Sequence, residues 1–128
     1  MKKINSILIC LLLSSRLFAL DIYEEVANSI RSGDARQLAT FFSSSIDLTI
    51  IDKENVYSKS QAEFIIKDFF SKNPPKAFNV LHKGSSPEGT QYLIGNLLTT
   101  NGKTYRTSFY IKTIKGKAAL QELRIEVE

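Results

Sequence analysis

The sequence predicts an α+β domain in which three N-terminal helices pack on one face of a bent antiparallel sheet, in the order α-α-β-α-β-β-β-β. Three observations predict it. Between Asp21 and Asn73 the apolar residues recur mostly at helical spacing, with one stretch of alternation at Ile46 to Ile51. From Lys76 onward the period switches to two. Turn signals at Ser85 to Gly89, Asn101-Gly102 and Lys115-Gly116 then divide that half into four strands.

Residues 1–19 precede this domain and have another character. Lys2-Lys3 leads into an apolar run from Ile4 to Leu13, and Ser-Ser-Arg-Leu-Phe-Ala follows. This is the three-part layout of a secretory signal peptide, with cleavage expected after Ala19. A run of ten falls well short of the roughly 20 residues of a bilayer span. Cys10 lies too early, after bulky Ile9, for a lipoprotein site. The expected mature chain is one domain, 20–128, exported to the periplasm or beyond.

Processing changes the composition. The formal charge of +4 includes Lys2, Lys3 and Arg16; without them 14 basic residues face 13 acidic ones. That balance, with no Lys/Arg run among aromatics, argues against nucleic acid as a partner. Cys10 is the only cysteine, so 20–128 has no disulfide, thiolate nucleophile or cysteine metal site.

Each helix has its own punctuation. Asp21 is a candidate N-cap, Ile22, Val26 and Ile30 form one stripe, and Gly33 sits at the C′ position. Asp34 opens a short second helix with Gln37 at the capping position and Leu38, Phe41 and Phe42 as its apolar face; Ser43 to Ser45 end it. Asp52 to Asn55 reads as a polar turn. The third helix, Ser58 to Asn73, starts with a Ser58/Gln61 capping box and carries Ala62, Ile65, Ile66 and Phe69 on one stripe. Pro74-Pro75 ends it.

The sheet register decides which side chains share a face. Asn-Gly favours a two-residue type I′ turn. Closing Thr100 on Lys103 puts Leu98 with Tyr105, Asn96 with Thr107, Ile94 with Phe109 and Tyr92 with Ile111 on the core face. A five-residue loop at Ser85 to Gly89 adds Phe78, Val80 and His82 to that face. For the last strand a two-residue turn would bury Glu122 and Arg124. Since burying charge costs more than a bulge, an extra residue is expected near Lys115 to Lys117, pairing Phe109 with Leu123 and Arg106 with Glu126. Helices on one face of such a bent sheet make a cone, the nuclear-transport-factor-2-like or cystatin-like arrangement; another two-layer α+β sandwich is the alternative.

Several segments are also familiar. Tyr57-Ser58-Lys59, Asp68-Phe69-Phe70, Asn73-Pro74-Pro75, His82-Lys83-Gly84-Ser85-Ser86 and Leu123-Arg124-Ile125 resemble a family of small secreted bacterial proteins of unknown function, similar in fold to nuclear transport factor 2. Ala118-Ala119 departs from that pattern, where bulkier residues are expected. The resemblance implies fold and export, and assigns no catalytic residue.

In the expected register the core face carries a polar series that would line a small ligand pocket: His82 beside Tyr92, Asn96 beside Thr107, and Tyr105. The bland alternative is that these groups satisfy one another. Proton-transfer chemistry in such a cone needs a carboxylate or a His–Asp pair, and no Asp or Glu falls on the core face of the four C-terminal strands. An isomerase or dehydratase with His82 as base would need Asp47 or Asp52 to approach it. The composition fits no zinc site and calls for no cofactor. The expectation is therefore a non-catalytic binding or interaction module for a small apolar ligand or an envelope protein partner. The outer sheet face, with Leu93, Leu97, Arg106, Tyr110, Glu122, Arg124 and Glu126, is a candidate homodimer surface.

Overall fold

The computed structural model describes residues 21–128; the expected signal peptide, its expected cleavage after Ala19 and Cys10 lie outside them. Helix α1 spans Ile22–Ser32, α2 Ala35–Ala39 and α3 Lys59–Lys72. The strands are β1 Phe42–Ile50, β2 Lys53–Ser58, β3 Pro75–Ser85, β4 Thr90–Thr99, β5 Thr104–Ile114 and β6 Lys117–Val127.

The helices start and stop where their side chains dictate. The Asp21 carboxylate accepts from the Tyr23 backbone N–H, and Gly33 ends α1 in the left-handed region at φ 67°. The Asp34 side chain accepts from Gln37 N, and Ser58 and Gln61 form the reciprocal capping box of α3. Val26, Ile30, Ala62, Ile66 and Phe69 are buried as their spacing requires.

All six strands form one sheet in the order β2-β1-β6-β5-β4-β3. Neighbours are antiparallel except β1 and β6, which run parallel, so the sheet is mixed rather than purely antiparallel. Two elements depart from expectation. Phe42 to Ser45 belong to β1, not to a helix end, and Lys53–Ser58 is a strand rather than a turn followed directly by the helix. β2 is polar because it is an edge, where Lys and Glu discourage pairing with another chain. The other edge, β3, is tied down by α1. Arg31 Nη2 donates to Phe78 O at 3.0 Å and Tyr23 OH to Gly84 O at 2.6 Å.

The register of β4 is the main correction. Asn101-Gly102 does not close a two-residue turn. Thr99 pairs with Lys103 around Thr100-Asn101-Gly102, Gly102 N donates to Thr99 O, and Gly102 adopts φ 82°. This is a type I turn with a glycine bulge, and it shifts β4 by one residue against β5. Leu97 thus faces Tyr105, Gly95 faces Thr107 and Leu93 faces Phe109. A one-residue slip moves every β4 side chain to the other face. Leu93 and Leu97 are core, not outer face, while Tyr92, Ile94, Asn96 and Leu98 turn outward.

The β3–β4 loop has the same form, with Ser86 bonded to Thr90 around Pro87-Glu88-Gly89. A bulge between Val80 and His82 then releases Val80, which is 41% exposed instead of buried. The last hairpin keeps the expected register, with Phe109 paired with Leu123, Thr107 with Ile125 and Arg106 with Glu126, but not the expected extra residue at Lys115 to Lys117. Its turn is two residues, Lys115-Gly116, and a bulge at Tyr110/Ile111 absorbs the extra residue. Glu122 and Arg124 are thereby kept out of the core.

Candidate functional site

The five residues expected to share one pocket divide between two faces. Tyr105 and Thr107 are on the inner face of β5 and buried. Tyr105 OH donates to Asn73 Oδ1 at 2.9 Å, and Thr107 Oγ1 reaches only Tyr105 O at 3.4 Å. Thr107, Phe109 and Ile125 are fully buried, so they line no open space. His82, Tyr92 and Asn96 lie on the outer face. His82 Nε2 and Tyr92 OH do meet, at 2.9 Å, with Tyr92 also tilted against Tyr110 at 6.1 Å between centroids. Asn96 stands opposite Arg106, not Thr107.

The acid–base constellation is not assembled either. Asp47 is on β1 and His82 on β3, four strand spacings apart, or roughly 19 Å across the sheet. Asp52, in the turn beyond β1, lies toward the opposite edge from β3. Asp47 instead neighbours Glu122 across the parallel β1–β6 pairing on the outer face. Asp47 Oδ1 and the buried Thr49 Oγ1 have no protein partner there. Burial and the Asp47 charge raise the Glu122 carboxyl above the ordinary range, and the nearby Arg124 only partly offsets this. Among the described residues no three His, Cys, Asp or Glu side chains converge as metal ligands.

A cleft does form elsewhere, between α3 and the β1–β2 hairpin, with a volume of about 430 Å³. Its walls include Leu48 and Ile50 from β1, Tyr57 from β2, and Ile65 and Phe69 from α3. Alternation along β1 aims Leu48 and Ile50 inward, and the step between Ile65 and Phe69 is one helical turn. The polar lining consists of Asp52, Lys53, Asp68, Lys72 and Asn73. Two carboxylates are therefore present, supplied by a turn and by α3 rather than by the strands. Asp68 is held by Lys72 Nζ at 3.0 Å on the same helix.

Asn73 stabilises one end of this cleft. As C-cap of α3 it sends its backbone N–H and its Nδ2 to Phe69 O, and its Oδ1 receives both Tyr105 OH and Asn101 Nδ2. Asn101 in turn accepts from Lys103 N and Thr99 Oγ1. The β4–β5 turn, the end of α3 and the sheet are thus joined by side-chain hydrogen bonds. Sequence spacing carried a signal for Asn73, beside Pro74-Pro75, but none that linked it to Asn101. The sequence carries no signal for the cleft, because Asp52 to Asn55, which includes the start of the β2 wall, has the composition of a turn.

Three capped helices against a curved mixed sheet, with a cleft at one end, define a nuclear-transport-factor-2-like, cystatin-like domain. Residues 23–126 match the family described as "Domain of unknown function (DUF4783)", and the chain belongs to that family. A crystal structure of a DUF4783 family protein from Bacteroides uniformis superposes with a TM-score of 0.79 at 25% identity, covering 84% of this chain and 98% of that one. A Bacteroides ovatus family member gives 0.76 at 26% identity, covering 81% and 93%. A domain of unknown function with a cystatin-like fold from Nostoc punctiforme shares the fold alone, at 8% identity and a TM-score of 0.65, covering 83% and 72%. A search of curated proteins finds no match.

Proposed function

We propose that the protein is an exported, non-catalytic binding module that holds a small apolar ligand in the cleft between α3 and the β1–β2 hairpin. The observation that carries this reading is the division of the cleft lining. Aliphatic and aromatic groups from β1, β2 and α3 supply one part, and the charged groups come from Asp52 in the hairpin turn, Lys53 at the start of β2, and Asp68 and Lys72 on α3. The volume falls in the range of small-molecule sites, which are mostly apolar with a few orienting polar groups. Export rests on the Lys2-Lys3 start, the apolar run and the Ala19 position.

Calorimetric titration with naphthol, a compact apolar probe, tests the binding reading. Saturable binding of one molecule per chain is expected, and Ile65→Asp should abolish it while the protein stays folded by circular dichroism. Absence of binding to the folded wild type, or binding unchanged by Ile65→Asp, would overturn the reading. For export, the N-terminus of the protein recovered from its native host is expected at Leu20; a chain still starting at Met1 contradicts it.

A further inference from the structure

The cleft does not end at Ile65. A second, shallower recess lined by Tyr57, Ser60, Gln61, Phe64 and Ile65 shares Tyr57 and Ile65 with it. On α3, Gln61, Phe64, Ile65, Asp68 and Lys72 border the combined space at i, i+3, i+4, i+7 and i+11, with Ser60 and Phe69 beside them. The five form one stripe of the helix, which meets the buried face carrying Ala62, Ile66 and Phe70 at Phe69. From Gln61 to Lys72 it extends about 17 Å at the helical rise. Phe64 lies on it 74% exposed, an unusual cost for an aromatic ring on an otherwise charged helix surface.

Resting on the binding reading above, we propose that cleft and recess form one trough for a long-chain fatty acid, its chain along Phe64, Ile65 and Phe69 and its carboxylate at Lys53. The shape is linear and the wall along Phe64 and Ile65 is apolar, so an unbranched hydrocarbon leaves nothing unsatisfied there. An extended peptide fits less well. It would add to the edge strand β2, yet the Val56 N–H on that strand is already accepted by Asn55 Oδ1 at 2.8 Å. Elsewhere its backbone would meet the apolar wall without hydrogen-bond partners.

The charges at the turn end select the head group. Lys72 is engaged by Asp68, whereas Lys53 has no ion-pair partner among the described residues. Asp52, in the turn, directly precedes Lys53, the first residue of β2. One available cation beside one carboxylate suits a single negative charge and disfavours a dianionic phosphate.

Equilibrium dialysis with palmitate, palmityl alcohol and naphthol tests this on the wild type, Lys53→Glu and Phe64→Asp. Both substitutions are at exposed positions, so folding should be retained. Palmitate is expected to bind one per chain. Lys53→Glu should weaken palmitate about tenfold and leave palmityl alcohol unchanged. Phe64→Asp should weaken both long chains at least tenfold and leave naphthol unchanged. If naphthol binds but palmitate does not, or palmitate ignores both substitutions, the trough assignment is overturned and the cleft reading survives. If neither probe binds, both fall.

Discussion

The Tyr105 hydroxyl donates to Asn73 Oδ1 across 2.9 Å, joining β5 to the C-cap of α3. Tyr105 is almost fully buried and its ring packs edge-on to Phe69, whose side chain also faces the cleft. One end of the cleft is therefore fixed by a hydrogen-bonded corner.

Tyr105→Phe removes one donor while Asn101 continues to satisfy Asn73, so the expected loss is about 1 kcal/mol. Asn73→Ala is expected to cost more, about 2–3 kcal/mol, because the buried Tyr105 hydroxyl loses its acceptor and the Nδ2 bond to Phe69 O is also lost. Urea denaturation of the two variants measures both; equal losses would show that Asn73 is not the shared acceptor.

Leu97 and Leu98 distinguish the two possible faces of β4. Leu97 is fully buried opposite Tyr105, whereas Leu98 is half-buried on the outer face. Leu97→Ala should cost about 2–5 kcal/mol and Leu98→Ala about 1 kcal/mol or less. The reverse order in denaturation midpoints would restore the two-residue turn.

Glu122 should make stability depend on pH. Desolvation and the Asp47 carboxylate raise its folded-state value, with Glu54 adding to the effect and Arg124 opposing it. The folded protein then keeps this proton to higher pH than the unfolded chain does. Its contribution is fully present in acid and is lost as pH rises through the folded value. Glu122→Gln should raise the melting temperature at neutral pH and flatten the dependence over the weakly acidic range. A variant less stable than wild type at neutral pH would mean that the Arg124 ion pair outweighs the buried charge.

Much of the architecture was legible because it rests on strong local signals. Asp21, Gly33, Ser58 and Gln61 mark helix ends through hydrogen bonds within a single turn. The β5–β6 register was legible because the wrong choice buries Glu122 and Arg124. The β4 register was not, since both faces of β4 are nearly equally apolar: Tyr92, Ile94 and Leu98 on one, Leu93 and Leu97 on the other. Asn101-Gly102 then tipped the choice toward a type I′ turn. What overrides that preference is tertiary: Asn101 bonds to Asn73, 28 residues away. His82 pairs with Ile94 rather than Tyr92, because the bulge after Val80 shifts β3 against β4; on the outer face its side chain still reaches Tyr92 OH. β2 was hidden for a different reason, as an edge strand bearing Lys53, Glu54 and Asn55 has the composition of a turn.

The central claim is that ligand binds between α3 and the β1–β2 hairpin and not on the outer sheet. Amide chemical-shift mapping of nitrogen-labelled protein titrated with naphthol tests it most directly. The account predicts saturable shifts clustered at Leu48, Tyr57, Ile65 and Phe69, with His82, Tyr92 and Asn96 unmoved. Shifts centred on His82 and Tyr92, or none anywhere, would contradict it.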